Sequence, residues 1–290
     1  MNQLNLPVVV TDSASQLVQN EVNHLNIKVI PLEISINGKV YLDGVDINPD
    51  DLYTKMRAEK IEVKTSAPSV GRFYQTFLEI FKQGSDEILC ITLSDKLSST
   101  YNSALIAANM ISTKFVEKKV VVFNSLTAAV AQGFLAIEAA NHLLLGKSLD
   151  AVIQFLTMAR QRTGLIAAVE SLKYLAQGGR IGKASYLVGN TLKIMPILTV
   201  NKEGIVSPVA KVRKKETIVP SILSIFMPHL KGSKKVRLSV MHADKMEEAK
   251  SLQKALTGLE VTKDIPIEPF TPVMGVHTGP GLYGLGYYYE

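Results

Sequence analysis

The sequence predicts an α/β protein of two domains: an N-terminal three-layer α/β/α domain on a parallel sheet, residues 1–162, and a C-terminal mixed-sheet α/β domain, residues 163–290. Three observations carry this. Buried-strand patterns alternate with helical ones through the first half, as parallel strands with helices on both faces require. After about residue 162 the rhythm changes to strands that follow one another in hairpin-like order. The length of 290 residues suits two cores, and 47% hydrophobic with 20% charged residues supplies the material to pack them.

In chain order, "LPVVVTDSAS" reads as a buried strand running into Thr11, Asp12 and Ser13, and "SQLVQNEVNHL" follows with helical spacing. "KVIPLEISING" and "KVYLDG" read as a second strand and a hairpin arm turned at Asn37-Gly38. "TSAPSVGRFYQTFLEIFKQG" is a loop and then a helix with Phe73, Phe77, Leu78 and Phe81 along one side. "EILCITLSDKLSSTYNSALIAANMI" repeats strand, polar loop and helix, and "KVVVFNSLTAAVAQGFLAIEAANHLLLG" does so again, its helix stopping at Gly146. A helix from Leu149 to about Arg160 ends near Gly164, "LIAAVE" is strand-like, and two glycines stop the short helix "SLKYLAQGG". "MPILTVNKEGIVSPVAKVR" and "KKVRLSVMHA" read as strands, with helices in "KETIVPSILSIFMPHL" and "DKMEEAKSLQKALTG". No low-complexity linker separates the halves, so the two domains are expected to pack closely.

The net charge of +6 hides an asymmetry: residues 1–170 carry 15 Lys+Arg against 17 Asp+Glu, whereas residues 171–290 carry 17 against 9. A basic half attracts phosphate, an anionic membrane surface or an acidic partner. The single cysteine, Cys90, lies in the apolar "EILCITL", so a buried hydrophobe and a reducing compartment are expected. "MNQLNLPVVV" has no basic n-region and no apolar run is long enough to span a bilayer, which points to a cytoplasmic protein.

The strand-to-helix junctions hold the polar residues. Thr11-Asp12-Ser13, Thr65-Ser66, Ser94 to Thr100 and Asn124-Ser125 gather at the carboxyl edge of a parallel sheet, where ligands bind. Their hydroxyls, with helix N-terminal amides, suit a carboxylate or phosphate; the same residue types are also the preferred N-caps. A phosphate-loop motif is missing, and the formal G-x-G-x-x-G at Gly279–Gly284 has almost no chain after it to form a helix, so it is rejected. Five scattered histidines with no close partner give no metal site, and no G-x-S-x-G elbow marks an activated serine. His277 stands out because Gly279, Pro280 and Gly281 leave it sterically open, with a satisfied core or turn histidine as the competing reading. "QGGRIGKAS" is expected to turn Arg180 outward toward an anion or a partner acid. "AKVRKKE" puts Lys211 and Arg213 on one side of a strand and Val212 on the other. Nucleic-acid binding lacks support, since Trp is absent and no stacking motif accompanies the lysines. Composition and spacing lead to a small anion in an interdomain cleft.

Taken in order, "VVVTDSAS", "VKTSAPSVGRFYQTF", "ITLSDKLSSTYNSA", "VVFNSLTAAVAQG", "SLKYLAQGGRIGKAS", "IMPILTVNKEGIV" and "GVHTGPGLYGLGYY" resemble the DegV family over essentially the whole chain. The resemblance implies a long-chain fatty acid in a tunnel between the domains, and the role of fatty-acid-binding subunit of a bacterial fatty acid kinase. Such a subunit presents the carboxylate to a separate ATP-dependent kinase, and the acyl-phosphate feeds phospholipid synthesis. It further implies Thr65 and Ser98 or Ser99 as carboxylate ligands, with Ser125 and Thr278 in the same binding set. His277 and Arg213 would assist phosphoryl transfer, and Arg180 would dock the kinase. No cofactor or metal is expected on this chain; ATP and Mg belong to the kinase. The chain departs from the family pattern at Ser99, where glycine is common, at Asn124, where aspartate is common, and at Ala67, where glutamine is common. The low-charge helices "NSALIAANMI" and "LTAAVAQGFLAIEAA" can line a tunnel but are better read as core.

Two other functions compete with this carrier. One is a free-standing enzyme acting on a small carboxylated or phosphorylated metabolite, with His277 as acid or base. The other is a regulatory module whose ligand state controls a partner. A carrier needs an apolar tunnel and no turnover of its own, an enzyme a wet, polar pocket. For the carrier, the basic C-terminal part offers a transient contact with anionic membrane lipid.

Overall fold

The computed structural model describes residues 6–58, 61–188, 194–259, 262 and 264–290. Strands β1 (Val8–Asp12), β2 (Lys28–Ile30), β3 (Glu33–Ile36), β4 (Lys39–Leu42), β5 (Val63–Ser66), β6 (Glu87–Thr92) and β7 (Lys119–Asn124) precede residue 162. β8 (Thr163–Ala168), β9 (Met195–Val200), β10 (Val206–Val212), β11 (Val236–His242), β12 (Ile267–Pro269) and β13 (Tyr283–Tyr289) follow it.

The first sheet is parallel, in the order β2-β1-β6-β7. Alternation decides what each face meets. Val10, Ile88 and Cys90 pack with Phe73, Phe77, Ala104 and Ile111, from helices α3 (Val70–Lys82) and α4 (Thr100–Lys114), which follow α1 (Gln19–His24) and α2 (Pro49–Ala58). Val9, Leu89 and Ile91 turn to the opposite face and pack with α5 (Ala129–Leu144). The expected three layers are therefore present. Cys90 is buried and unpaired, as its apolar neighbours imply.

The hairpin turned at Asn37-Gly38 forms with both residues at positive φ, 49° and 84°, as a two-residue loop of this type requires. Its strands join a separate antiparallel sheet, β4-β3-β5, in which Ile34 pairs with Thr65. Thr65 and Ser66 thus end a strand instead of lying in a loop. Strand pairing from residues about thirty positions away overrides what the local turn residues signal.

The second sheet has the order β10-β9-β8-β13-β11-β12 and is antiparallel except between β11 and β12. The tail tyrosines belong to its interior strand β13, where Tyr288 is buried. Ile166 and Ala168 face α8 (Ile218–Phe226) and α9 (Met246–Thr257), which come after α6 (Leu149–Ala159) and the short α7 (Lys173–Gln177). Leu165 and Ala167 face the other way, toward α5. Helix α5 is consequently buried on nearly every side from Ala129 to Ala140, which accounts for its lack of a polar stripe. One continuous core spans both domains around it. Gly281, at φ 105°, turns the chain directly into β13, so the rejected glycine motif precedes a strand. Among the described residues, no helix is long and apolar enough to cross a membrane.

Candidate functional site

A narrow cavity lies where the carboxyl edge of the parallel sheet meets the second sheet and α10 (Pro272–Thr278). About 90 Å³ of it is open to the centre of a water molecule. Most of the lining is apolar: Leu93 and Leu97 follow β6, Ala167, Leu198 and Met241 come from the second sheet, and Met274 comes from α10. The polar side chains are Thr65, Ser98, Arg180, Thr199, His277 and Thr278, and Thr199 donates its hydroxyl to the Leu165 carbonyl at 2.7 Å. Neither α4 nor α5 contributes a wall: α5 is a core helix, as read, whereas α4 packs one face on the sheet and leaves Leu105, Ile106 and Met110 exposed.

Thr65, Arg180 and His277 also border an outer basin of about 880 Å³, where Arg57, Lys64 and Lys173 stand against Glu62. The cavity therefore has a polar end, and that end faces an electropositive basin. Such an arrangement holds a molecule with a long apolar body and an anionic head.

His277 occupies the last turn of α10, not an open loop. Thr65 Oγ1 lies 2.7 Å from its Nε2. A Cβ on Gly178 would sit 2.4 Å from its Nδ1, so the absence of a side chain there lets the ring fit. Gly279 leaves room in the same way for Tyr174. The glycines around His277 pack it closely; sequence spacing reads them as leaving it exposed. Burial, and to a smaller extent the charge of Arg180, holds the imidazole down at about 4, so it is neutral at neutral pH. Its Nδ1 is buried without a partner.

Arg180 does not turn outward. Its Nε donates to the Leu97 carbonyl at 3.0 Å and its Nη1 to the Gly178 carbonyl, which folds the half-buried guanidinium over the cavity and ties the C-terminal domain to the loop after β6. The side chain expected to point outward toward an anion or a partner is thus part of the cavity wall.

Ser98 lines the cavity, and its Oγ lies 2.8 Å from Thr100 Oγ1. Ser99 is exposed and absent from the lining. Ser98 also accepts from the Thr100 amide at 3.3 Å, whereas Ser99, at the N-cap of α4, makes no side-chain capping bond. Ser125 is fully buried away from the cavity: its Oγ accepts from the Thr127 amide at 3.2 Å and closes a local turn. Thr278 lines the cavity, with its hydroxyl 3.3 Å from the carbonyls of Met274 and Gly279. Arg213 is exposed one residue beyond the edge strand β10 and borders neither cavity nor basin. A bulge between Pro208 and Ala210 turns that strand over. Val206 therefore faces the cavity while Val212 faces the α8 side.

Asp12 caps its own turn. Its carboxylate accepts from the amides of Ala14 and Leu93 at 3.1 and 2.9 Å, and burial pushes it up to about 7. Asn124 donates to Asp95 at 2.8 Å; an aspartate there would place two carboxylates against each other. Sequence reasoning missed Gly178, whose signal was only a glycine before Gly179-Arg180, and it missed helix α10 itself.

Residues 8–290 match the family model described as "Uncharacterised protein, DegV family". A DegV domain-containing protein of Clostridium acetobutylicum is 32% identical over 278 residues, covering 96% of each chain. Among solved structures, a DegV family protein from Thermus thermophilus, described for its fatty acid binding, superposes with a TM-score of 0.91 at 28% identity, covering 98% of this chain and 100% of that one. A stearic-acid-binding protein from Eubacterium ventriosum superposes with a TM-score of 0.89 at 28% identity, covering 97% of both. Matched across both domains and every segment that builds the cavity, the chain belongs to the DegV family.

Proposed function

We propose that this protein binds a long-chain fatty acid, with the acyl chain in the narrow cavity and the carboxylate at Thr65, Ser98 and Arg180. The observation that carries this reading is an apolar slot whose polar side chains converge beside a basic basin. Relatives of the same fold are described as binding fatty acids, which supports it. Burying about 0.8 kcal/mol per methylene, a chain of about sixteen carbons outweighs the several kcal/mol that association costs.

His277 prepares the head site. Its Nδ1 lies against Gly178 and is buried without a partner, and we assign the proton to Nε2, leaving the lone pair on Nδ1. Nε2–H then donates to Thr65 Oγ1, and the threonine O–H is free to donate to a carboxylate. A small polar metabolite would leave the apolar walls uncovered, which disfavours the free-standing enzyme.

The finer reading is a substrate-presenting subunit. The bound carboxylate faces the basin, a separate ATP-dependent kinase docks over it and forms the acyl-phosphate, and ATP and Mg stay on that kinase. The sequence carries no nucleotide motif of the usual kinds; Arg57 and Lys64 are paired with Asp244 and Glu62, so Lys173 and Arg180 supply the basin's charge to meet phosphate. Loading and release would use a transient contact with anionic membrane lipid through the basic C-terminal domain, where Lys211 lies 4.8 Å over the exposed Tyr186 ring. The test is acyl-hydroxamate formation in the presence of hydroxylamine and Mg-ATP. The protein loaded with acid should give product only when a separate kinase polypeptide is added; product from this chain alone would favour the enzyme.

A further inference from the structure

Helix α10 supplies Val273, Met274, His277 and Thr278 to the cavity, yet little in its own sequence fixes its start. Pro272 at its first position has no N–H to cap. Thr271, at the N-cap, makes no side-chain capping bond, and its hydroxyl is buried without a partner. The first free amide of the helix is instead taken by the other domain. Val273 N–H donates to Asp43 Oδ1 at 2.9 Å across 230 residues of sequence, and Asp43 is 2% exposed.

A second contact from the same hairpin-and-helix segment adds to this. Tyr53 of α2, 3% exposed, donates its hydroxyl to the Phe270 carbonyl at 2.8 Å. Its ring lies under Gly275, where a Cβ would be 2.4 Å from the tyrosine oxygen. Phe270 itself lines the cavity. The N-terminal domain therefore grips α10 one turn before the histidine and at the residue leading into the helix.

We propose that Asp43 and Tyr53 are positioning residues: they latch α10 to the N-terminal domain, which holds His277 against Thr65 and keeps one wall of the cavity closed. The physical basis is a helix cap supplied in trans. A capping acceptor stabilises a helix start, and a seven-residue helix has few bonds of its own to replace it. When the latch is undone, α10 can swing with the C-terminal domain, the imidazole leaves Thr65 and gains water, and the cavity opens along its length. The part of the inference that concerns ligand release rests on the fatty-acid reading; the placement of His277 does not.

The test reads the His277 ring by NMR titration in ligand-free protein, together with the dissociation rate of a fluorescent long-chain fatty acid. In the wild type the ring should stay neutral to about pH 4. Asp43→Ala should move its titration up toward 6.5 and raise the dissociation rate about tenfold, while Asp43→Asn, which keeps an acceptor for Val273 N–H, should stay near wild type. A folded Asp43→Ala with unchanged His277 titration would overturn the latch. Should that variant not fold, Tyr53→Phe removes only the hydroxyl and should shift both readouts in the same direction, and an unshifted ring in Tyr53→Phe overturns the latch equally. A wild-type protein that binds no fatty acid would overturn the proposed function and leave the His277 titration to decide the latch.

Discussion

Thr65 Oγ1 and His277 Nε2 meet at 2.7 Å although 212 residues separate them in the chain. One ends a strand of the small N-terminal sheet and the other ends α10, so the two domains close over the polar end of the cavity at this contact. The imidazole is neutral there, and Arg180 supplies the fixed positive charge.

Replacing Thr65 by Val removes the hydroxyl that faces a bound carboxylate. Affinity for a long-chain acid, measured by calorimetric titration, should fall about tenfold, or about 1.4 kcal/mol. His277→Ala should cost less in binding, because its ring reaches the carboxylate through Thr65, and more in acyl-phosphate formation. Arg213→Ala should leave affinity unchanged, since its side chain borders neither space.

Gly178→Ala places a methyl group 2.4 Å from His277 Nδ1. The ring must shift, and the Thr65 contact lengthens or breaks. The variant should lose about as much affinity as His277→Ala, less than Thr65→Val, and a crystal structure should show the displaced imidazole. Unaltered binding would mean that the histidine does not prepare the head site.

Ala167 faces the cavity from the middle of the second sheet. Ala167→Phe should fill the slot with little change in melting temperature, because the added ring enters existing space. Binding of long acids should drop at least about a hundredfold, and that of short acids much less.

Asp12 and Asp43 are pushed by burial to about 7 and about 6, from an ordinary 3.8. Folded-state values above the unfolded ones mean that the folded protein holds more protons between pH 4 and 7, so these two groups lose stabilising effect as pH rises through that window. His277, lowered to about 4 from 6.5, works in the opposite sense, gaining as pH rises from 4 to 6.5. The two raised carboxyls outweigh the one lowered imidazole, so denaturant unfolding followed across pH should show stability declining between about pH 4 and 7. In Asp12→Asn that decline should flatten, whatever the cost of the lost amide bond at any one pH.

The strand and helix rhythm was legible because its signals are local: Val9 and Val10 take opposite faces, and Phe73 and Phe77 share one. Alternation in "LIAAVE" likewise divides Leu165 and Ala167 from Ile166 and Ala168. Thr65, Ser98 and His277 were legible as a set only through the resemblance to the DegV family, since hydroxyls at junctions look the same whether they bind or cap. Ser125 shows the ambiguity: the same residue type at the same kind of junction closes a turn. His277 was misread in its surroundings because glycines beside it suggest open space, whereas Gly178 and Gly279 are the seats of two rings. Asp43, Tyr53 and Gly275 carried no local signal at all, because their partners lie more than two hundred residues away.

The central claim is that the cavity holds an acyl chain. Denaturing extraction of the purified protein followed by mass spectrometry tests it most directly. The account predicts one long-chain fatty acid per chain, lost in Ala167→Phe. An empty cavity that also refuses added long-chain acids would contradict it.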